Sequence, residues 1–98
     1  MIRLKGTDED IAAICRRNEV RELAVFGSVV RGQARADSDV DVFVEFQPAA
    51  QVGFIRIAGL AEELERVFGR HVDLAIKSCL KPLIREQVLR EAEVLFAA

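Results

Sequence analysis

The sequence predicts one domain of the α/β (α+β) class, with its elements in the order α-β-α-β-α-β-α. Three patterns lead to this prediction. Residues 40–46 alternate between apolar and other side chains, as in a strand with one buried face. Residues 53–68 repeat apolar side chains at intervals of three and four, which is typical of an amphipathic helix. Residues 72–76 alternate again, so helices and strands are interleaved along the chain.

Length, charge and cysteine content narrow the class of protein. Residues 1–98 are expected to form a single domain, and 51% of them are hydrophobic, enough for a buried core. The formal net charge of −2 argues against a nucleic-acid-binding domain, since those carry a basic excess. No apolar run approaches the about 20 residues of a membrane span. Cys15 and Cys79 lack metal-ligand spacing and predict free core thiols in a reducing, cytoplasmic setting.

The first part of the chain predicts a helix, a strand and a short helical turn. The helix covers residues 8–18, and Thr7 can cap its N-terminus. A short apolar run over residues 23–26 predicts a buried strand. Residues 28–32, which end in glycine, predict a single helical turn with Ser28 at its N-cap.

The second strand has two chemically different faces. One face carries Val40, Val42, Val44 and Phe46, and the other carries Asp39, Asp41, Phe43 and Glu45. The connection from Gly27 to Asp39 is too short for a parallel crossover with a full helix. The first two strands are therefore predicted to be antiparallel neighbours.

The second half predicts a helix, a strand and a last helix. Gly69 is placed to end the helix of residues 53–68 in a left-handed conformation. The strand of residues 72–76 has the phase of the second strand, with an aspartate on the face opposite its aliphatic side chains. Pro82 suits the first position of a final helix that runs to about residue 96.

Three aspartates on two of these strands predict a metal site. Asp39 and Asp41 are two residues apart on one strand, so their side chains emerge on the same face about 6–7 Å apart. Asp73 is in the same phase on the third strand and can complete a set of oxygen ligands. A few carboxylates, completed by water and substrate phosphate, are the ligands that Mg²⁺ prefers.

The residues after the first strand predict a phosphate site. Gly27 lets backbone approach a phosphate closely because it has no Cβ. The turn that follows offers N–H groups and the Ser28 hydroxyl as donors, and Arg31 can reach the same anion or form a surface salt bridge. A phosphate clamp beside a carboxylate metal site is the arrangement used in metal-dependent phosphoryl transfer.

These motifs resemble the minimal nucleotidyltransferases of the polymerase-β-like nucleotidyltransferase superfamily. The superfamily pattern is Gly-Ser, ten intervening residues, Asp-x-Asp, and a third Asp on a later strand. The resemblance covers about residues 8–96. The narrower matches are Phe26-Gly27-Ser28-x-x-Arg31-Gly32, Asp37-Ser38-Asp39-Val40-Asp41, Gly69-Arg70-His71-Val72-Asp73-Leu74, and Leu80-Lys81-Pro82 before a helix containing Arg85-Glu86. Val29 departs from the basic residue often found after the Gly-Ser pair.

The resemblance implies a fold, a site and a partner. The fold would be a small mixed β-sheet with helices on one side. Asp39 and Asp41 would bind two Mg²⁺ ions, Asp73 would share the ion that activates the attacking hydroxyl, and Gly27 and Ser28 would hold the nucleoside triphosphate. Proteins like this are typically antitoxins encoded beside a HEPN-domain ribonuclease toxin, with which they are expected to form a hetero-oligomer. They silence the toxin by transferring AMP from ATP onto a toxin tyrosine.

Other interpretations of the same residues are weaker. Asp37 begins an Asp-x-Asp-x-Asp run, but Val42 and Pro48 stand where a calcium loop needs glycine and glutamate. Ser28 as a covalent nucleophile would need a base oriented by an acid, and no acid is expected to orient the one histidine, His71, which is interpreted as a solvated residue at the start of the third strand. Two alternative functions are a non-catalytic antitoxin that acts by occupancy and nucleotidyl transfer to a small molecule or RNA end. The intact triad argues against the first, and the acidic composition argues against the second.

Overall fold

The computed structural model describes residues 8–35 and 37–98, and within them three α-helices and four strands form a mixed α/β fold. The elements are α1 (Asp8–Arg17), β1 (Val20–Phe26), β2 (Val40–Phe46), α2 (Phe54–Phe68), β3 (Val72–Ile76), α3 (Pro82–Glu91) and β4 (Glu93–Ala97). Single 3-10 turns follow β1 at Gly27–Val29 and β3 at Lys77–Cys79. None of the helices in the described part of the chain is long and apolar enough to cross a membrane.

The four strands form one mixed sheet in the order β3-β2-β1-β4. β1 is antiparallel to both of its neighbours, which confirms the antiparallel pairing predicted from the short connection after Gly27. β2 and β3 are parallel, and α2 makes the crossover between them. A short connection permits only an antiparallel return, whereas a parallel neighbour needs the length that a helix supplies.

One face of the sheet packs against α1 and α2. The valines at positions 40, 42 and 44 of β2 have no exposed surface, as the alternation predicted. The other buried members of this core are Ile11, Ile14, Cys15, Val20, Leu23, Val25, Val29, Leu60, Leu64, Phe68 and Val72. Burial raises the pKa of the Cys15 thiol to about 12, so this cysteine is an inert core residue, as predicted. Cys79 is a free thiol as predicted but is exposed, so its assignment to the core was wrong.

The other face of the sheet packs against α3. The expectation that all helices lie on one side of the sheet was therefore incorrect. Phe43 in β2 is 2% exposed because Val88 of α3 and Leu80 close over it. This is the face of β2 that carries the aspartates. The face that carries the aspartates is therefore partly covered by α3, and Asp73 on it is exposed.

The C-terminal segment is the largest correction to the predicted order. The predicted helix to about residue 96 ends at Glu91, and Glu93–Ala97 forms β4, antiparallel to β1. Apolar residues in this segment fit helical spacing and alternation equally well. The edge of β1 decides between them, because its N–H and C=O groups need partners and the segment supplies them. Leu95 and Phe96 then pack against the first core.

The predicted end of α2 and start of α3 agree with the structure, and α1 ends within one residue of its predicted end. Gly69 has a φ of 69° and ends α2, and its N–H donates to the Glu65 carbonyl at 2.8 Å. Pro82 begins α3 as predicted. Asn18 follows α1, and its side-chain amide donates to the Ile14 carbonyl at 2.8 Å. The predicted cap at Thr7 lies outside the described residues.

Candidate active site

Asp41 and Asp73 are direct neighbours across the parallel strands β2 and β3. The strand register pairs Val40 with Val72 and Asp41 with Asp73. Paired residues of a parallel ladder point to the same face, and neighbouring strands lie about 4.8 Å apart. The phase prediction made for Asp73 is therefore confirmed, because the sheet brings it beside Asp41.

The charge around Asp41 is the most unusual electrostatic feature of the site. Burial raises the pKa of the Asp41 carboxyl above its ordinary value, and the carboxylates of Asp73 and Asp39 raise it further. Arg31 opposes this rise. Negative charge is thus concentrated at one end of the sheet, and a bound cation would relieve the repulsion.

Asp39 lies just before β2 and contacts a histidine. Its Oδ1 is 3.4 Å from Nδ1 of His71, and Nε2 of the same ring is 3.6 Å from Oε2 of Glu65. Glu65 also accepts a hydrogen bond of 3.0 Å from the Val72 N–H. The expectation that no acid lies beside His71 is therefore wrong, whereas the predicted exposure of its side chain is confirmed, at 66%. The parallel register places it beside Asp39, a relation that counting back from Asp41 and Asp73 would have revealed.

The three aspartates do not form a closed metal cage. Across residues 8–35 and 37–98, no three His, Cys, Asp or Glu side chains are arranged to hold a metal ion as they stand. Mg²⁺ does not require such a cage, because it is usually bound by one or two carboxylates, with water and substrate phosphates as the other ligands. The donor set of Asp39, Asp41 and Asp73 fits Mg²⁺ in chemistry and in charge.

Gly27 is required by the position of Asp41. Its φ is +77°, and a Cβ at this position would collide with Oδ2 of Asp41. The approach predicted for this glycine is that of a phosphate, and the group that lies beside it in the structure is the Asp41 carboxylate. The Gly27 N–H donates to Oε1 of Glu91 at 3.2 Å, so this backbone donor binds a carboxylate oxygen.

Ser28 lies inside a 3-10 turn rather than at an N-cap. The turn covers Gly27–Val29, and extended Phe26 occupies the N-cap position, so the predicted position of Ser28 at the N-cap was wrong. The Ser28 carbonyl accepts from the Gln33 N–H at 2.9 Å, and the Gly27 carbonyl accepts from the Arg31 N–H at 3.1 Å. These bonds close the turns of the loop that follows β1.

Arg31 forms a salt bridge with a residue that the sequence did not point to. Its Nη1 is 3.1 Å from Oε1 and 3.3 Å from Oε2 of Glu91, and its Nε donates to Oε1 of Gln33 at 3.2 Å. Glu91 is separated from Arg31 by 60 residues, and no local pattern predicts so distant a contact.

A small cavity is lined by Gly27, Arg31, Asp41 and Glu91. It has a volume of about 210 Å³ and lies between the Gly27 turn and α3. Its polar lining includes Arg31, Asp41 and Glu91, and Ile84 and Val88 form an apolar wall. A larger cavity of about 480 Å³ lies against α1 and α2 and shares no lining residue with it. The smaller cavity is the candidate site, because it alone of the two contains an aspartate of the triad.

Comparison with known proteins identifies the family. The nucleotidyltransferase domain family matches the chain over residues 9–95. The chain belongs to this family. The match covers the aspartates at positions 39, 41 and 73 and the turn after β1. The resemblance stated from the sequence motifs is therefore confirmed.

A curated relative of this nucleotidyltransferase-family chain is the protein adenylyltransferase MntA of Thermococcus cleftensis. The two sequences are 49% identical over 72 residues, which are 74% of this chain and 71% of the relative.

Solved structures show the same fold. A chain of a crystal structure of a toxin-antitoxin with AMP-PNP superposes with a TM-score of 0.74 at 23% identity, over 94% of this chain and 74% of that one. A complex of a tri-AMPylated Shewanella oneidensis HEPN toxin with its MNT antitoxin gives a TM-score of 0.65 at 22% identity, over 93% and 70% of the chains.

Proposed function

We propose that this protein is an antitoxin and a Mg²⁺-dependent protein adenylyltransferase. It transfers AMP from ATP onto a tyrosine of a HEPN-domain toxin and releases pyrophosphate. The observation that supports this most directly is the pairing of Asp41 with Asp73 beside the anion-binding Gly27 N–H and Arg31. The adenylyltransferase activity of the 49% identical MntA and the fold shared with an antitoxin bound to an AMPylated HEPN toxin support the same function.

The aspartates are assigned to the metal ions and the reacting groups. Asp39 and Asp41 would hold two Mg²⁺ ions, and Asp73 would share the one nearer the attacking hydroxyl. Bound Mg²⁺ would neutralise phosphate charge and lower the pKa of the attacking hydroxyl. Support comes from Asp41, because burial and then the carboxylates of Asp73 and Asp39 raise its pKa, and a bound divalent cation would relieve that repulsion.

The Gly27 turn and Arg31 are assigned to the triphosphate. The Gly27 N–H and the Arg31 guanidinium already converge on one carboxylate, at 3.2 and 3.1 Å. A phosphate oxygen is also anionic and accepts the same hydrogen bonds, so it can take that position. Ser28, next in the turn, would add its backbone N–H or hydroxyl. The apolar wall of Ile84 and Val88 lies on the α3 side of this cavity.

The test mixes the protein with ATP labelled on its α-phosphate, Mg²⁺ and the HEPN-domain protein encoded beside it. We expect label on the toxin, at a tyrosine located by mass spectrometry, and loss of the label with Asp39→Asn or Asp41→Asn. The matched control is Glu45→Gln, which changes a carboxylate on the same face of β2 outside the candidate site. Toxin activity measured in parallel reports neutralisation.

Three results would contradict the proposal. Neutralisation that survives both aspartate substitutions without labelled toxin would show an antitoxin that acts by occupancy. Label on added RNA or on a small molecule, with none on the toxin, would show a different acceptor. Label that persists unchanged when Mg²⁺ is chelated would exclude the assigned role of the aspartates.

A further inference from the structure

Glu91 occupies the donors that the proposed function assigns to phosphate. Its Oε1 accepts from the Gly27 N–H at 3.2 Å and from Nη1 of Arg31 at 3.1 Å, and its Oε2 is 3.3 Å from the same Nη1. The Glu91 side chain is 19% exposed, so most of it is shielded from solvent. One backbone N–H and one guanidinium therefore share a single intramolecular anion.

The sheet, rather than chance side-chain placement, brings this carboxylate to the turn. Glu91 is the last residue of α3, and the chain continues at Ala92 with an extended backbone into β4. Glu93 of β4 pairs with Val25 of β1, two residues before Gly27. The pairing of β4 with β1 thus fixes the end of α3 beside the end of β1, and Glu91 reaches the N–H of Gly27 from there.

The carboxylate and a nucleotide phosphate cannot use these donors together. The Gly27 N–H is a single donor, and a phosphate that approached Arg31 would meet the Glu91 charge in addition to the three aspartates. Charge-assisted hydrogen bonds to an enclosed carboxylate must be broken before the same donors can bind phosphate. Binding energy of the nucleotide is then spent on moving Glu91.

We propose that Glu91 is an autoinhibitory anion that competes with the nucleotide triphosphate for the Gly27 N–H and Arg31. This inference rests on the proposed function, because it takes these two donors as the phosphate site. Nucleotide binding releases Glu91 into solvent, and whatever holds Glu91 away from the turn increases affinity for the nucleotide. The contact lowers occupancy of the site at low ATP without altering the chemistry that follows.

The first experiment measures binding of inorganic tripolyphosphate and of a non-hydrolysable ATP analogue, each with Mg²⁺, by titration calorimetry. Glu91→Gln keeps the shape of the side chain and removes its charge, and we expect both ligands to bind about 10-fold more tightly to it. Adenosine, which has no phosphate, should bind equally to both proteins. The matched control is Glu86→Gln on the exposed face of α3, where Glu86 pairs with Arg90 four residues along; its affinities should equal those of the wild type.

Steady-state transfer gives an independent readout. Release of a competitor lowers KM for ATP and leaves kcat unchanged, whereas general damage to the site lowers kcat. Glu91→Asp is the second variant, because it keeps the charge and shortens the reach by one methylene. It should also lower KM. Thermal unfolding of each variant without ligand establishes that it is folded.

Unchanged or weaker tripolyphosphate binding by folded Glu91→Gln and Glu91→Asp overturns the inference. If the wild type still transfers AMP in that case, the proposed function stands and only the competition by Glu91 is wrong. If no variant binds tripolyphosphate and the wild type transfers no AMP, the proposed function fails together with it.

Discussion

The two faces of the sheet are covered to different depths. On the first face, α1 and α2 bury the valines of β2 completely, and the core there extends from Ile11 to Val72. On the second face, α3 covers Phe43 but leaves Asp41 and Asp73 at an open end. The comparison indicates a division of work, in which one face stabilises the fold and the other tolerates unfavourable charge for function. Four predictions test this division, from the largest expected effect to the smallest.

The same substitution on the two faces should cost different amounts of stability. Leu64 on the first face has no exposed surface, whereas Leu80 on the second is 9% exposed. Truncation of a buried leucine to alanine costs about 2–5 kcal/mol, according to how well the site can collapse. We expect Leu64→Ala near the upper end of that range and Leu80→Ala near the lower end, as measured by urea unfolding. Equal costs would show that the two cores are equally important.

Asp41→Asn should abolish function and leave stability intact or increased. We expect AMP transfer to fall on the order of 100- to 1,000-fold, as for other lost electrostatic contacts at reacting groups. Because burial and the neighbouring carboxylates raise the pKa of Asp41, its charge destabilises the folded state at neutral pH.

The sign of this effect can be checked by pH. The penalty is complete above the raised pKa of folded Asp41 and disappears as the pH falls below the ordinary value of 3.8. The Asp41→Asn variant should therefore unfold at a higher temperature than wild type at pH 7, and the difference should shrink on acidification. A variant less stable than wild type at pH 7 would contradict the assigned repulsion.

Alanine substitutions at two glycines with similar φ values distinguish the effect of backbone strain from that of a steric clash with Asp41. Gly27 and Gly32 have φ values of +77° and +73°, but of these two only Gly27 is placed so that a Cβ would meet another group, the Asp41 carboxylate. Alanine at either position should cost about 1–2 kcal/mol from left-handed strain. Gly27→Ala should in addition reduce AMP transfer at least 10-fold, whereas Gly32→Ala should retain it. Equal activity of the two variants would mean that Asp41 can move aside without consequence.

The smallest effect is expected at the α1–α2 contact of the first face. Arg17 Nη2 lies 2.6 Å from Oε1 of Glu63, and the Asn18 side-chain amide donates to Oε2 of Glu63 at 2.7 Å. The Arg17 hydrogen bond lowers the pKa of Glu63 below its ordinary 4.5. The contact therefore stabilises the folded state above pH 4.5, and this stabilisation is lost as the pH falls through the lowered pKa. Glu63→Gln should cost about 0.5–1 kcal/mol at pH 7 and nothing in strong acid, with transfer unchanged.

Glu62→Gln is the matched control for this prediction. Glu62 and Arg66 form an exposed pair four residues apart on α2, with both side chains about two-thirds or more exposed. This substitution should change stability by less than Glu63→Gln at pH 7. A cost at Glu62 equal to that at Glu63 would show that the α1–α2 contact has no special role.

The local sequence determined most of the first face and the aspartates of the second. Alternation in residues 40–46 and 72–76 predicted the buried valine face of β2 and the phase of β3, since successive side chains in a strand point to opposite faces, but it did not predict the burial of Phe43. Gly69 and Pro82 predicted helix boundaries because glycine permits the left-handed conformation that ends a helix and the proline ring fixes φ at a helical value. The same alternation predicted Asp73 to be in phase with Asp41, and the pairing of β2 with β3 makes them neighbours.

Only the tertiary structure determined that the segment after α3 forms a strand and that Glu91 contacts Gly27 and Arg31. The apolar spacing of residues 92–97 suits a helix or a strand. The segment forms a strand because the backbone groups at the edge of β1 need hydrogen-bond partners from elsewhere in the chain. That pairing then carries Glu91 to Gly27, 64 residues earlier, where it meets Arg31. Periodicity and motifs describe residues close in sequence, whereas this contact exists because two distant segments share one sheet.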